Sequence, residues 1–390
     1  MTRLPILMNR IPVLLAAGML ALPHLAGQTA SPIKRLDGTV VSGSELDSML
    51  DNALAIPGVA AVAVAVVQEG RIVHVSAGGF LTAGSQVKVT PQTVFRAASL
   101  SKPVFAYLVL KLADEKLLDL DRPLYQYLSK PLPEYPDYAD LAVESRYRSI
   151  TARMVLSHAT GFPNWRWQSR DGKLKILFDP GTRFSYSGEG YRYLQFVVES
   201  LARKGLDELA REKMFVPLGM ERSSYLWQPR FEGGIALDLA GIPPPFREKI
   251  RTEANAAGSL LTTAADYARF LLAAMEGKDL RQDTHAGMLK PQIEISSPSL
   301  FGAGGPASPE DSRPAGLAWA LGWGSLRSAV GDVYFHVGAE PGFENYAAFF
   351  VDHKTGYVLL SSGKEYGGVT RLVAPRLISD NVSPFDWLGY

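Results

Sequence analysis

The chain of 390 residues contains no cysteine. That excludes a disulfide framework, thiol catalysis, cysteine-ligated zinc and a lipid-modified cysteine anchor. It also lacks any Lys/Arg run longer than two, and 40 basic against 39 acidic residues leave a formal net charge of +1. Such a balance gives no electrostatic footprint for nucleic acid or an anionic membrane surface. No internal repeat or low-complexity tract is present, and no uninterrupted apolar run reaches the ~20 residues that a spanning helix needs. No residue cluster calls for a metal or an organic cofactor, and nothing implies a partner protein. Small molecules remain as partners.

What is present is an ordinary globular composition, 47% hydrophobic and 20% charged, with length for one large domain or two intimate subdomains. Arg3 and Arg10 precede an apolar stretch from Ile11 to Leu25, broken by Pro12 and Pro23 and followed by Ala26-Gly27. This reads as a secretory signal over residues 1–27, leaving 28–390 as the mature domain in a periplasmic or extracellular location, without a membrane span.

Gly58 to Val67 is rich in Val and Ala, Glu69-Gly70 supplies a turn, and Arg71 to Val75 alternates, which predicts a β-hairpin. From Ser99 to about Leu118, Val104, Tyr107, Leu108 and Leu112 recur at helical spacing, with Lys111 expected to face solvent. Further stripes, Tyr191/Leu194/Val198/Leu201 and Tyr267/Phe270/Leu271/Met275, make the middle of the chain helical, the second opened by a capping-box pair, Thr263 and Asp266. Ser296 to Gly316 is Pro/Gly/Ser-rich and reads as a surface loop bordering a site. Strand patterns return at Val333–His336, Tyr346–Val351 and Tyr357–Ser361. The expected fold class is α+β: an antiparallel sheet built from both chain ends (about 38–130 and 317–390) and flanked by helices, with a mostly helical middle of about 131–316.

Ser31, Ser85, Ser99 and Ser361 each have Lys three positions on, but only Ser99 lies where an apolar helix begins. One helical turn brings i and i+3 side chains together, so Lys102 can serve as the base that a nearly inert serine hydroxyl requires. Two segments can complete a serine site. Phe184-Ser-Tyr-Ser-Gly-Glu-Gly-Tyr191 is a small-residue loop that would expose the phenol of Tyr186, and His336-Val-Gly-Ala-Glu-Pro-Gly-Phe343 is a strand end whose Gly338 admits close backbone approach.

Ser99-Leu-Ser-Lys102, Tyr186-Ser-Gly188 and His336-Val-Gly338 resemble, in order and spacing, the three motifs of the serine β-lactamase and penicillin-binding-protein superfamily, most of all the class C β-lactamase-related hydrolases. Leu156-Ser-His-Ala-Thr-Gly-Phe162, Phe178-Asp-Pro-Gly181, Phe215-Val-Pro-Leu-Gly-Met220 and Ala256-Ala-Gly-Ser-Leu-Leu-Thr-Thr263 resemble stretches common in that group. The resemblance implies a β-lactamase-like fold and an acyl-enzyme on Ser99. It makes Lys102 and Tyr186 a proton-sharing pair, and the N–H groups of Ser99 and Ala339 the oxyanion donors. His336, Gly338, Gly188 and Trp165 would contact substrate.

Two positions depart from the pattern. The second motif ordinarily ends in Asn, whose amide touches the lysine amine and a substrate acyl-amide oxygen, and Gly188 stands there instead. The third motif of β-lactamases and penicillin-binding proteins begins with Lys, where this chain has His336. Both changes favour carboxylic esters. A D-Ala carboxypeptidase or D-amino-acid peptidase, a β-lactamase, and a non-catalytic binding or sensor protein remain as alternatives. His336 also reads as a strand-end histidine satisfied by a backbone carbonyl. His158 reads as a loop-orienting residue, Trp165 and Trp167 as core or as acyl-pocket wall, and Asp179 and Glu189 as turn or capping residues.

Overall fold

The segment Val59–Gln68 reads VAAVAVAVVQ, and its side chains leave alternately for two interiors: Ala61, Ala63, Ala65 and Val67 for one, Val62, Val64 and Val66 for the other. A strand apolar on both faces must lie between two layers. The computed structural model describes residues 32–236, 250, 252–302, 313–363 and 368–390, and within them this strand is interior to a large sheet. The expected signal over residues 1–27 lies outside the described residues, as does the 303–312 part of the expected surface loop.

In chain order the main elements are α1 (Gly43–Leu54), β1 (Val59–Gln68), β2 (Arg71–Gly79), α2 (Ser101–Asp114), α3 (Gly188–Ala202), α4 (Ala264–Glu276), β3 (Ile293–Glu294) and β4 (Leu317–Trp319). They are followed by β5 (Gly324–Ser328), β6 (Gly331–Glu340), β7 (Phe343–Phe350), β8 (Thr355–Gly363) and α5 (Val369–Ile378). The sheet runs β2-β1-β8-β7-β6-β5-β4-β3, antiparallel throughout. Both chain ends therefore build one sheet, as the strand patterns predict. On one face lie α1 and α5, contributing Leu46, Leu50, Val373 and Leu377, and on the other α2, α3 and α4. A capping box at Ser42 and Glu45 starts α1.

Three expectations need correction. Ile293–Glu294 pairs with Leu317–Trp319 as an edge strand of the sheet, although it falls in the middle segment expected to be mostly helical and separate from that sheet; two residues are too few to show a period. Lys111 does not face solvent but is 9% exposed, because α2 is covered on nearly every side, and its amine pairs with Asp279 at 3.2 Å. Finally, Ser99 does not open the α-helix itself. It lies in a 3-10 turn, Ala98–Leu100, that feeds into α2 at Ser101.

Candidate active site

The turn that carries Ser99 is held under strain. Ala98 has φ +48°, a left-handed conformation that costs a residue with a β-carbon ~1–3 kcal/mol and needs outside support. Ser101 Oγ donates to the Ala98 carbonyl at 2.6 Å and accepts from the Leu260 N–H at 2.9 Å. The buried hydroxyls of Tyr267 and Tyr225 donate to the carbonyls of Leu100 and Ser101. From the sheet, buried Asn345 on β7 donates its amide to the Arg96 and Gly338 carbonyls, each at 3.0 Å, and accepts from the Ser361 N–H at 3.2 Å. The Arg96–Glu340 ion pair spans the same junction. Strand and turn meet so closely that a β-carbon on Gly338 would lie 2.2 Å from the Ala97 carbonyl oxygen, so only glycine fits. Ala339, next along β6, is exposed, and Ser99 is partly exposed.

Beneath Ser99, Lys102 is fully buried. Its Nζ donates to Ser99 Oγ at 3.0 Å and to the Ala257 carbonyl at 2.7 Å. Burial pushes its pKa down to about 7, because a low-dielectric surrounding disfavours the ammonium. The Tyr186 and Tyr191 rings, 4.8 and 5.7 Å from Nζ, supply partial compensation through their negative faces. Tyr186 is 4% exposed, so its phenol is not displayed on a loop as expected but packed against the lysine. Burial raises its pKa, opposed by interaction with Ser99, and its hydroxyl makes no hydrogen bond of ordinary geometry. The structure thus brings Ser99, Lys102 and Tyr186 together.

Two buried imidazoles back this group. His158 Nδ1 accepts the Ser187 N–H at 3.0 Å, which puts its proton on Nε2; it orients the loop before α3, as its sequence context suggests. Its ring lies 4.3 Å from that of Tyr186, and burial, then the charge of Lys102, keeps it neutral. His336 Nδ1 donates to the Val337 carbonyl at 2.6 Å, the backbone-satisfied arrangement, and burial followed by Lys102 pushes its pKa down to about 3. It is neutral at pH 7. Neither imidazole makes a hydrogen bond through Nε2 within the protein.

Gly188 opens α3, its N–H bonded to both the carbonyl and the side-chain oxygen of Asn164. A β-carbon there would lie 2.6–2.9 Å from Cη2, Cζ2 and Cζ3 of Trp165. Trp165 is partly buried and stacks on Trp167, which is 68% exposed, so the indole pair is neither core nor free surface. Glu189 is no simple cap. It is buried and accepts the Arg166 backbone N–H, Nε and Nη2 at 3.0, 3.1 and 2.8 Å. Asp179, by contrast, is exposed and pairs with Arg146 at 3.3 Å. Phe301, from the loop expected to border the site, packs edge-on against Tyr186 at 5.4 Å.

A family model described as Beta-lactamase matches residues 46–378. The chain belongs to that family. It is 30% identical over 234 residues to penicillin-binding protein 4 of Amycolatopsis lactamdurans, covering 55% of this chain and 58% of the relative. It is 32% identical over 169 residues to a D-aminopeptidase of Brucella anthropi, covering 42% of this chain and 32% of that protein. The chain thus spans less than two thirds of the curated relatives it matches. The octameric penicillin-binding protein homologue from Pyrococcus abyssi shares the fold, with a TM-score of 0.67 over 89% of this chain and 79% of that one at 19% identity.

Against this β-lactamase-family background, motif spacing is silent about Asn345, Ala257 and the Arg166–Glu189 pair, which act through backbone hydrogen bonds or an ion pair across the fold. Ala257 alone had a signal, lying in the Ala256–Thr263 stretch that resembles the family. Among the described residues no group of three or more His, Cys, Asp or Glu is placed to hold a metal ion, and no helix is long and apolar enough to cross a membrane. A groove of about 710 Å³ at the C-terminal end of α2, between Asp114, Asp121, Arg153 and Arg281, contains none of these site residues.

Proposed function

We propose that this β-lactamase-fold serine hydrolase works through an acyl-enzyme on Ser99 and acts on carboxylic esters. The carrying observation is Lys102, fully buried, with its amine 3.0 Å from Ser99 Oγ and a pKa about 7. A neutral amine so placed takes the hydroxyl proton as Oγ attacks the substrate carbonyl. The tetrahedral oxyanion forms between the N–H groups of Ser99 and Ala339, and collapse breaks the bond to the leaving group. Tyr186, sharing the proton with Lys102, delivers it to the departing oxygen. Water then attacks the acyl-enzyme by the reverse proton path and releases the acid.

Ester rather than amide chemistry is supported by His336 and Gly188. A buried neutral imidazole offers a substrate carboxylate no fixed cation, and residue 188 offers an amide substrate no carboxamide. The likeness to a D-aminopeptidase favours a second reading, peptidase action through the same residues. We also propose export, from Arg3, Arg10 and the apolar run that follows.

The test is covalent labelling of the purified protein with a fluorophosphonate, with Ser99→Ala as control, beside turnover of p-nitrophenyl esters, a chromogenic cephalosporin and a D-Ala-D-Ala peptide. Labelling at Ser99 with ester turnover is expected. Labelling with turnover of the D-amino-acid substrate alone supports the peptidase, and absence of both labelling and turnover leaves a binding or sensor protein.

A further inference from the structure

The third position of the second motif is one of the two places where this chain departs from the pattern it resembles, and the structure gives a physical reason. The space for a side chain on residue 188 is filled. The benzo edge of Trp165 lies 2.6–2.9 Å from the β-carbon that any other residue would bring, well inside the approach real β-carbons make. The residues on either side of Trp165 are held by hydrogen bonds. Asn164, one residue earlier, takes the Gly188 N–H on two oxygens, and Arg166, one residue later, gives three hydrogen bonds to the buried carboxylate of Glu189. The indole lies nearly parallel to that of Trp167, with ring centroids 6.5 Å and planes 13° apart. The chain is therefore anchored on both sides of Trp165.

The consequence is chemical. In the motif as the resemblance gives it, this place holds a carboxamide that hydrogen-bonds an acylamino group of the substrate. Here it holds hydrocarbon. A substrate amide carried against Trp165 loses its water without gaining a partner, whereas an alkyl chain in the same place buries apolar surface. Two residues before Gly188, Tyr186 carries a further aromatic, Phe301, edge-on at 5.4 Å, and Phe301 is 40% exposed.

We propose that Trp165 is the specificity-determining residue on the acyl side, selecting esters whose acyl group is hydrocarbon and disfavouring those that carry an acylamino group. This rests on Ser99 forming the acyl-enzyme. Arg166 and Glu189 act through Trp165 and are positioning residues.

The experiment compares p-nitrophenyl pentanoate with the p-nitrophenyl ester of N-acetylglycine, which has the same chain length, leaving group and scissile bond but an amide in place of two methylenes. Each kcat/KM is divided by the ester's own hydroxide-catalysed rate, and active sites are titrated with a fluorophosphonate, so partial misfolding of a variant cancels from the ratio. The wild type is expected to favour pentanoate by at least ~10-fold, the scale on which an unpaired polar group is rejected. Trp165→Phe should keep most of that preference and Trp165→Ala should bring it within ~3-fold of unity. Gly188→Asn alone should lower the yield of titratable sites, and adding Trp165→Ala should restore it and turn the ratio towards N-acetylglycine. A wild-type ratio near one, or a ratio that Trp165→Ala leaves unchanged, overturns the proposal while Ser99 labelling stands. Absence of labelling overturns the acyl-enzyme reading and this inference with it.

Discussion

Lys102 approaches Ser99 to 3.0 Å with no acid beside it: burial is the sole cause of its lowered pKa, and among the described residues no carboxylate forms an ion pair with it. A buried lysine without a counter-charge is a stability cost that a purely structural residue would not carry. With a folded value about 7 against an ordinary 10.5, that cost is ~5 kcal/mol of disfavoured ammonium. Between those values the unfolded chain binds more protons, so stability rises with pH across that window, and the full cost is present below pH 7. Lys102→Met should raise the denaturation midpoint at pH 7, with a smaller gain at pH 10, while abolishing turnover. Urea titrations at both pH values check this.

Turnover itself should climb with pH through about 7 as the amine loses its proton. A kcat/KM profile on a neutral ester, whose own charge does not change, measures the limb. An ascending limb above pH 9 would contradict the burial argument.

Ser99→Ala should cost several orders of magnitude in kcat and leave the fold intact, since a small hydroxyl in a partly exposed turn contributes little packing. Turnover and circular dichroism on one preparation decide it.

Tyr186→Phe removes a hydroxyl without a hydrogen bond of ordinary geometry, so it should leave thermal stability within ~0.5 kcal/mol of wild type while lowering kcat strongly. Combined with Lys102→Ala it should be little worse than the more damaging single change, because two members of one proton relay are not additive. Additive losses would assign the two groups separate roles.

Asn345→Ala should lower kcat far more than it raises KM and destabilise the chain by ~1–3 kcal/mol, having left the Arg96 and Gly338 carbonyls without their side-chain donor. Asn345→Asp offers no amide donor and should behave similarly. Equal effects on kcat and KM would reduce Asn345 to a scaffold residue.

Short-chain ester hydrolysis should exceed cephalosporin hydrolysis in kcat/KM by at least ~100-fold, about 2.7 kcal/mol of transition-state preference. His336→Lys alone should not close that gap, since residue 336 is sealed under Tyr186 and Trp319 and a second cation there would depress Lys102 further. Parallel assays of the two substrates on both proteins test it.

Ser99, Lys102 and Tyr186 are legible in sequence because their roles reside in local spacing and in the order of three short motifs. The sheet is legible for a similar reason: β1, β6, β7 and β8 each announce themselves by apolar composition. Asn345 is not, since a lone Asn in a strand looks the same whether it bonds water or bridges Arg96, Gly338 and Ser361. Tyr186 looks exposed among small residues because nothing local tells of His158 and Lys102 packing on its ring. Gly188 and Trp165 each stand out alone, but their mutual exclusion is a steric fact between segments and has no one-dimensional trace.

Val64 on β1 is paired with Leu359 on β8, and the strand that presents Gly338 to the nucleophile also comes from the last part of the chain. The sheet therefore cannot close, nor Gly338 meet the Ser99 turn, until the segment from β6 to β8 has been made. A nascent chain carries Ser99 and Lys102 long before the strands that pack against their turn exist. Contacts this far apart in sequence also make folding slow.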